Sequence, residues 1–189
     1  MSNDVVRIED GGEVVEPAPT SVNLFGAQSP VEVVAKSAAV ARSLADIITK
    51  QKLYTVIGEK KHVRVEGWTL CGSMLGVYPV CVWTRPLENG WEARVEARTM
   101  NGTVVGAAES SCLKTEKLWS SRDDFAIRSM AQTRATSRAL RMPLGFIIQL
   151  AGYDATPAEE AEGGTTLSQT AEVSELNQAV KGKRDGKLI

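Results

Sequence analysis

The sequence predicts an α+β fold, in which a three-stranded antiparallel meander is packed by a long arginine-rich helix and preceded by an N-terminal helix and a hairpin. Residues 91–99 alternate between small or apolar and charged side chains, which is typical of a strand with one buried face. Residues 122–141 have helical periodicity and carry five arginines. Residues 1–28 and 154–189 are acidic and lack periodicity, so we expect disordered tails around a domain at 29–153.

The predicted domain begins with a helix. Residues 29–32, Ser-Pro-Val-Glu, combine a capping serine, a proline at the first helical position and a glutamate that completes a capping box. Apolar residues at helical spacing extend this helix to about Lys52. Two short strands around a turn at 58–61 then predict a hairpin, and residues 67–76 predict a short helix.

The meander follows at residues 78–112. A first strand at 78–85 leads through a turn at 87–90 into the alternating strand, and Asn101-Gly102 is a strong hairpin signal. A two-residue turn there predicts three pairs on the inner face: 99 with 104, 97 with 106, and 95 with 108. On the outer face it places Arg94 opposite Glu109 as a cross-strand ion pair.

The long helix is predicted to start at Ser121, with Asp124 as its capping partner. We expect it to stop near Pro143 and Gly145, because both residues disfavour a helix interior. Residues 146–150 are then a candidate final strand.

The formal net charge of −1 hides an uneven distribution of charge. Residues 30–153 hold 17 basic and 11 acidic residues, a charge of +6. Residues 1–29 carry −4 and residues 154–189 carry −3. A basic domain therefore lies between two acidic tails, which we expect to compete with a polyanion for the basic surface.

Several functional classes lack their motifs. The sequence has no phosphate-binding glycine loop, no zinc-ligand spacing and a single histidine, His62, which we interpret as an ordinary strand residue. We therefore expect no catalysis and no cofactor. The wide spacing of Cys71, Cys81 and Cys112 indicates buried thiols in a reducing compartment. The chain has no long apolar run and no secretory signal at its start, so we expect no membrane association.

The strongest functional signal is an arginine stripe on the long helix. At 100° per residue, Arg134, Arg138 and Arg141 fall within one 60° sector, and residues 125–149 contain no acid. Arginine forks and nearby hydroxyls suit phosphate oxygens. The candidate DNA contacts are Arg128, Thr133, Arg134, Ser137, Arg138 and Arg141 on this helix and Lys60, Lys61 and Arg64 in the hairpin.

Other interpretations of these features are open. Arginine stripes are also typical of solvated faces and of oligomer contacts. The same stripe is apolar upstream at Ile127 and Met130. This change favours a helix that is packed in the protein at one end and binds a polyanion at the other. Tryptophans can stack on single-stranded bases, but we interpret all four here, Trp68, Trp83, Trp91 and Trp119, as core residues.

The ordered set of motifs resembles a known family over residues 30–157. The stretch FAIRSMAQTRATSRALRMPLGFIIQLAGYDATPAEE and the upstream KKHVRVEGWTLCGSMLGVYPVCVWTR are similar to the conserved core of single-strand annealing proteins of the Rad/Erf/Sak type. These are phage essential-recombination-function proteins and relatives of the eukaryotic annealing mediator. One departure is that Ser137-Arg138 stands where mediator-type members have a Lys-Arg pair, so Arg134 and Arg141 would substitute for the lysine.

The resemblance implies ATP-independent binding of single-stranded DNA and annealing of complementary strands in phage recombination and repair. It further implies homo-oligomeric rings or filaments in the bacterial host cytoplasm or nucleoid. The family often recruits a single-strand binding protein or an exonuclease through its C-terminal tail. Here that role would fall to residues 171–189, which include a candidate amphipathic helix at 171–181.

Two alternatives belong to other functional classes. A β-β-β-α domain can recognise double-stranded nucleic acid by its shape. Alternatively, the protein is a structural assembly protein whose arginine stripe forms subunit interfaces; charge reversal at Arg134 and Arg138 would then disrupt assembly rather than DNA binding.

Overall fold

The computed structural model describes residues 23–164 and confirms the predicted α+β architecture. In chain order the elements are α1 (Pro30–Gln51), β1 (Tyr54–Ile57), β2 (Lys60–Val63), α2 (Val65–Met74), β3 (Val77–Leu87), β4 (Gly90–Thr99), β5 (Val104–Leu113), α3 (Asp124–Leu150) and α4 (Ala158–Gly164). The predictions made for residues 1–22 and 165–189, including the candidate helix at 171–181, lie outside the described residues.

Helix α1 begins as the capping motif predicts. The Ser29 hydroxyl accepts a hydrogen bond from the Glu32 N–H at 3.2 Å. The Glu32 carboxylate accepts the N–H of Gln28, rather than that of the capping serine, at 2.8 Å. Proline at the first helical position completes the start.

The hairpin that follows is tighter than predicted. Ile57 pairs with Lys60, so the turn consists of residues 58–59 rather than 58–61. Gly58 has a φ of +62°, a conformation that favours glycine. Because the turn is shorter, β2 is displaced towards the N-terminus and α2 starts at Val65 instead of residue 67.

The meander forms a three-stranded sheet in the order β3-β4-β5. The predicted pairs Ala97 with Gly106 and Val95 with Ala108 are present, and Arg94 Nη1 lies 3.0 Å from Glu109 Oε1. Thr99, however, does not face residue 104. Its N–H bonds the Thr103 carbonyl, and the register shifts by one residue before Gly106, which restores the predicted pairs further along.

Helix α3 lies across the inner face of β4 and β5, and small side chains allow a close approach. Ala93 and Ala97 on the sheet and Ala131, Ala135 and Ala139 on the helix are fully buried. The tightest point is Gly106, where a Cβ atom would lie 2.5 Å from the carbonyl oxygen of Ala139. The sheet can therefore accept α3 at this position only because residue 106 lacks a side chain.

The predicted ends of α3 are wrong at both termini. The helix starts at Asp124 rather than Ser121, and it continues through Pro143 to Leu150, so no final strand forms. A proline inside a helix removes the hydrogen bond to the carbonyl four residues earlier, which here is Ala139. That carbonyl packs against Gly106, and Leu144, Ile147 and Ile148 are fully buried beyond it. Burial of these side chains outweighs the local cost of the proline.

Residues on both sides of the predicted domain also belong to the described fold. Asn23 caps a turn that leads into α1, and the Phe25 ring packs edge-on against Phe146 with ring centroids 6.4 Å apart. At the other end, residues 154–164 pass between the hairpin and α3, and Pro157 and Ala158 are buried. We call residues 154–164 the acidic segment, because it contains four of the acids that the sequence assigns to a flexible tail.

The close approach of helix and sheet can be tested with one methyl group. Gly106→Ala should lower the free energy of unfolding by about 1–3 kcal/mol, because the added Cβ must displace α3 from β5. Gly145→Ala, on α3, is the matched control. Its Cβ would meet only Arg141 Cγ at 3.6 Å, so the change should be neutral or stabilising. Urea denaturation measures both, and equal stability of the two variants would contradict this packing.

Candidate nucleic-acid interface

Arg134, the first arginine of the predicted stripe, lies in a nearly buried ion pair. Its side chain is 11% exposed, and its two terminal nitrogens donate to the carboxylate oxygens of Glu116 at 2.8 and 2.6 Å. Hydrogen bonds from Arg134 lower the pKa of Glu116. Burial alone would lower the pKa of Arg134, but the bonds and charge of Glu116 outweigh it and keep that pKa above its usual value. Arg134 is therefore held by the fold and is not presented to solvent.

The same ion pair secures the edge strand of the sheet. Strand β5 borders the sheet, and edge backbone groups need partners. Arg134 donates to the carbonyl of Ser111 at 2.9 Å, and Glu116 accepts the N–H of Leu113 at 2.8 Å. Arg138 adds a longer bond of 3.3 Å to the carbonyl of Glu109. The arginine stripe thus faces the β5 edge.

Arg138 and Arg141 differ from Arg134 in exposure. Their side chains are 46% and 45% exposed, and both bind one carboxylate, that of Glu160 in α4. Arg138 Nε contacts Oε1, and Arg141 Nη1 lies 3.0 Å from Oε2. Two guanidinium groups from successive turns of α3 therefore converge on a single anionic group at the protein surface.

Ser137 is buried and does not face solvent, which corrects its prediction as an accessible phosphate donor. Its hydroxyl donates to Glu159 Oε2 at 3.0 Å, and Glu159 Oε1 accepts the N–H of Val65 at 2.8 Å. Arg64, the N-cap of α2, makes no side-chain cap, so Glu159 caps α2 from a distant part of the chain. Burial raises the pKa of Glu159, although both hydrogen bonds oppose that shift.

The predicted hairpin cluster does not form one basic patch. Adjacent residues of a strand face opposite sides, and Lys60 and Lys61 accordingly have different partners. Lys60 Nζ lies 3.0 Å from Asp154 Oδ2, whereas Lys61 Nζ lies 5.3 Å from the centre of the Tyr54 ring. Arg64 is exposed, and its Nε donates to the Thr55 hydroxyl at 3.1 Å.

The acidic segment is anchored to the hairpin as well as to α3. Asp154 accepts the N–H of Thr156 at 2.8 Å, and this bond together with Lys60 lowers the pKa of Asp154 to about 2. His62, which is 6% exposed, contacts the Thr156 carbonyl through Nδ1 at 3.0 Å. His62 is therefore buried against this segment and bound to its backbone.

Arg128 and Thr133 lie apart from the pair at Arg138 and Arg141. Arg128 is exposed, and its guanidinium sits 5.1 Å from the centre of the Trp91 ring and donates to the Thr84 hydroxyl at 3.2 Å. The Thr133 hydroxyl donates to the carbonyl of Ser129 within α3. These two residues do not extend the stripe towards the β5 edge.

The tryptophans are only partly core residues. Trp68 is fully buried and donates to the Val63 carbonyl at 3.2 Å. Trp83, Trp91 and Trp119 are half-buried, and Arg85 lies 4.6 Å from the centre of the Trp83 ring.

A surface pocket of about 280 Å³ lies between the β5 edge, α3 and the acidic segment. It is lined by two arginines, three glutamates and two serines: Arg134, Arg138, Glu116, Glu159, Glu160, Ser110 and Ser111. Its formal charge is therefore −1, although the adjacent helix carries the basic stripe. Carboxylates from outside α3 therefore pair with both arginines that line this pocket.

Sequence reasoning missed Glu116, Glu159 and Glu160 because it searched for neutralising acids only along α3. A signal for the last two was present. Residues 156–159, Thr-Pro-Ala-Glu, repeat the pattern of residues 29–32, with a capping residue, a proline and a glutamate three positions on. That pattern predicts a helix start, and α4 begins there.

The remaining features of residues 23–164 concern metal ligands, cysteines and helix length. Between residues 23 and 164, no group of three or more His, Cys, Asp or Glu side chains is arranged to hold a metal ion. Cys71 and Cys112 are buried as predicted, but Cys81 is exposed, because α3 covers little of the outer strand β3. Within this range, no helix has both the length and the apolar character needed to cross a membrane.

Comparisons with known proteins identify no relative. No family model, no curated protein and no solved structure matches the chain.

The structural role of Arg134 predicts a contrast in stability between two neighbouring arginines. Arg134→Met should cost about 3 kcal/mol, because it leaves Glu116 and the Ser111 carbonyl without their partner in a poorly solvated site. Arg138→Met, at a side chain that is 46% exposed, should cost less than about 1 kcal/mol. Chemical denaturation of the two variants measures this difference, and equal losses would contradict it.

Glu159 predicts a defined pH dependence. Its folded-state pKa lies above the unfolded value of 4.5, so the folded protein binds the proton more tightly. Relative to Glu159→Gln, the wild type should gain stability as the pH falls from neutral through the folded pKa towards 4.5. Thermal unfolding across this range measures the difference. A wild type that instead loses stability relative to the variant would show that its hydrogen bonds outweigh burial.

Proposed function

We propose that this protein binds single-stranded DNA through α3 and anneals complementary strands without ATP. The observation that carries the proposal is the convergence of Arg138 and Arg141 on one carboxylate at the protein surface. Guanidinium groups that hold one carboxylate in this way can hold one phosphate, whose oxygens they also bind in fork geometry. The resemblance of residues 30–157 to single-strand annealing proteins supports the same function.

A contact made through phosphates suits annealing. A protein that holds the backbone leaves the base edges free to pair with a second strand, and its affinity carries little sequence information. Arg64 and Lys61 are exposed at the hairpin, which contacts α4, and they form no ion pair within the described part of the chain. They are candidates for a further phosphate contact outside the arginine pair.

Annealing over long strands requires many such sites in a row, so we propose that the chain forms homo-oligomers, as rings or filaments. Val31 and Val34 near the start of α1 are 80% and 64% exposed, and Met142 and Leu150 on α3 are 68% and 54% exposed. Contiguous exposed apolar patches are typical of subunit contacts, and these side chains are the candidates on α1 and α3 for such a patch. Recruitment of a single-strand binding protein or an exonuclease, in phage recombination inside a bacterial cell, belongs to the same proposal.

A strand-annealing assay tests the function directly. Two complementary oligonucleotides are mixed at low salt without nucleotide, and wild-type protein should accelerate duplex formation. Arg138→Gln/Arg141→Gln should reduce both affinity for single strands and annealing rate by about tenfold or more, because both guanidinium groups that hold the phosphate are lost.

The matched control is Arg42→Gln/Lys50→Gln, which removes the same charge from exposed positions on α1 and should retain most activity. Circular dichroism and light scattering should show an unchanged fold and assembly state in both variants. Failure of the wild type to accelerate annealing would contradict the proposal. Equal or tighter binding of duplex DNA would favour a double-strand-binding module, and loss of assembly in the α3 variant would favour a structural role.

A further inference from the structure

We propose that the acidic segment is a built-in competitor of DNA, in which Glu160 occupies the site that a backbone phosphate takes on α3. This inference rests on the proposed function and adds its regulation. It predicts that the protein as folded binds single strands more weakly than its arginines allow, because an internal carboxylate must first leave.

Glu160 has the contacts of a substitute ligand. Its carboxylate is 17% exposed, and each of its two oxygens is bound by a different arginine of α3. A carboxylate and a phosphate present similar oxygen acceptors to a guanidinium group. Glu160 and an incoming phosphate would therefore compete for the same two guanidinium groups.

Other carboxylates of the acidic segment bind further side chains that are predicted to contact DNA. Asp154 binds Lys60, and Glu159 accepts the hydroxyl of Ser137. Four of the nine side chains that the sequence assigns to DNA are thus bound by three carboxylates of one short segment. The 17 basic residues between 23 and 164 face 15 acids, a charge of +2 instead of +6, and the difference is the four acids of this segment.

The exposure of the ion pairs indicates which carboxylate a phosphate would displace. Arg138 and Arg141 are nearly half exposed, so their bonds to Glu160 are screened by water and contribute little stability. The Arg134–Glu116 pair is nearly buried and is costly to separate. Phosphate would therefore displace Glu160 and leave Glu116 in place.

The anchor of the segment is separate from the competing residue. Glu159 caps α2, and Pro157 and Ala158 are buried, so α4 has attachments that do not involve Arg138 or Arg141. Glu160 can leave the arginines by rotation of its own side chain while those attachments persist. Substitution at Glu160 therefore removes the competitor without removing the segment.

Glu162 provides a matched control on the same helix. It is exposed and forms no ion pair with any described residue, so Glu162→Gln changes the net charge as Glu160→Gln does but frees no arginine. Any difference between the two variants reports the specific contact rather than the general electrostatic attraction of DNA.

The experiment measures binding of a labelled oligothymidylate to the full-length wild type and both variants by fluorescence anisotropy at low salt. Glu160→Gln should bind at least about threefold more tightly than Glu162→Gln, which corresponds to the loss of two solvent-screened ion pairs. Glu162→Gln should bind within about twofold of the wild type, because only general electrostatics change. Thermal unfolding should show that both variants remain folded at the temperature of the assay.

The outcomes separate this inference from the function on which it rests. If the wild type binds oligothymidylate and the two variants bind with equal affinity, the competitor is refuted and the proposed function stands. If none of the three proteins binds, the proposed function and the competitor are both refuted. If Glu160→Gln binds oligothymidylate more tightly than both the wild type and Glu162→Gln, the result supports the competitor and the proposed function.

Discussion

The rest of the structure depends on how closely α3 can approach the sheet. Gly106 and the buried alanines at 93, 97, 131, 135 and 139 remove the side-chain bulk that would otherwise separate the two layers. Because the helix lies this close to β4 and β5, Arg134 and Arg138 reach backbone carbonyls at the edge of β5. Arg134 can then bind a backbone carbonyl of that strand while paired with Glu116. Close packing therefore determines which arginine is structural and which arginines remain available.

The three arginines differ in exposure because they lie at successive positions along one helix. Arg134 points into the junction of helix, edge strand and Glu116, where water is scarce and an ion pair is costly to break. Arg138 and Arg141 lie one and two turns further on, where the acidic segment covers them only in part. The same residue type therefore stabilises the fold at one position and is exposed at the next two, where we propose that it binds an exchangeable anion. An account that treats the stripe as one uniform basic surface would assign Arg134 the wrong role.

The sequence predicts the local elements well where the signal lies within one element. Alternation at 91–99 and the cap of α1 at 29–32 depend on neighbours along one strand or helix, and both are present, although Glu32 binds the N–H of Gln28 instead of that of Ser29. The Arg94–Glu109 pair depends on the register between two strands, and it is present as well. The turn at Asn101-Gly102 is one residue longer than the pattern predicts. An extra residue in β5 then restores the predicted strand register from Gly106 onwards. The end of α3 could not be predicted locally, since Pro143 is accepted only through burial of the apolar residues after it.

The candidate site could be predicted only in part for the same reason. Arginines at helical spacing are visible in the sequence, but their partners come from a turn at Glu116 and from α4, 18 to 22 residues distant along the chain. The capping pattern at 156–159 marks the helix, yet nothing local shows that its acids face α3. Tertiary structure thus converts an apparent basic stripe into one nearly buried ion pair and two exposed arginines that share the carboxylate of Glu160.

The central claim is that Arg138 and Arg141 together hold one phosphate of single-stranded DNA, and the salt dependence of binding tests it most directly. For single strands, the slope of log affinity against log salt changes by about 0.7 for each phosphate contact. The slope measured for Arg138→Gln/Arg141→Gln should therefore be shallower than that of the wild type by about 0.7. Identical slopes for the two proteins would contradict the claim, because they would show that neither arginine contacts the DNA backbone.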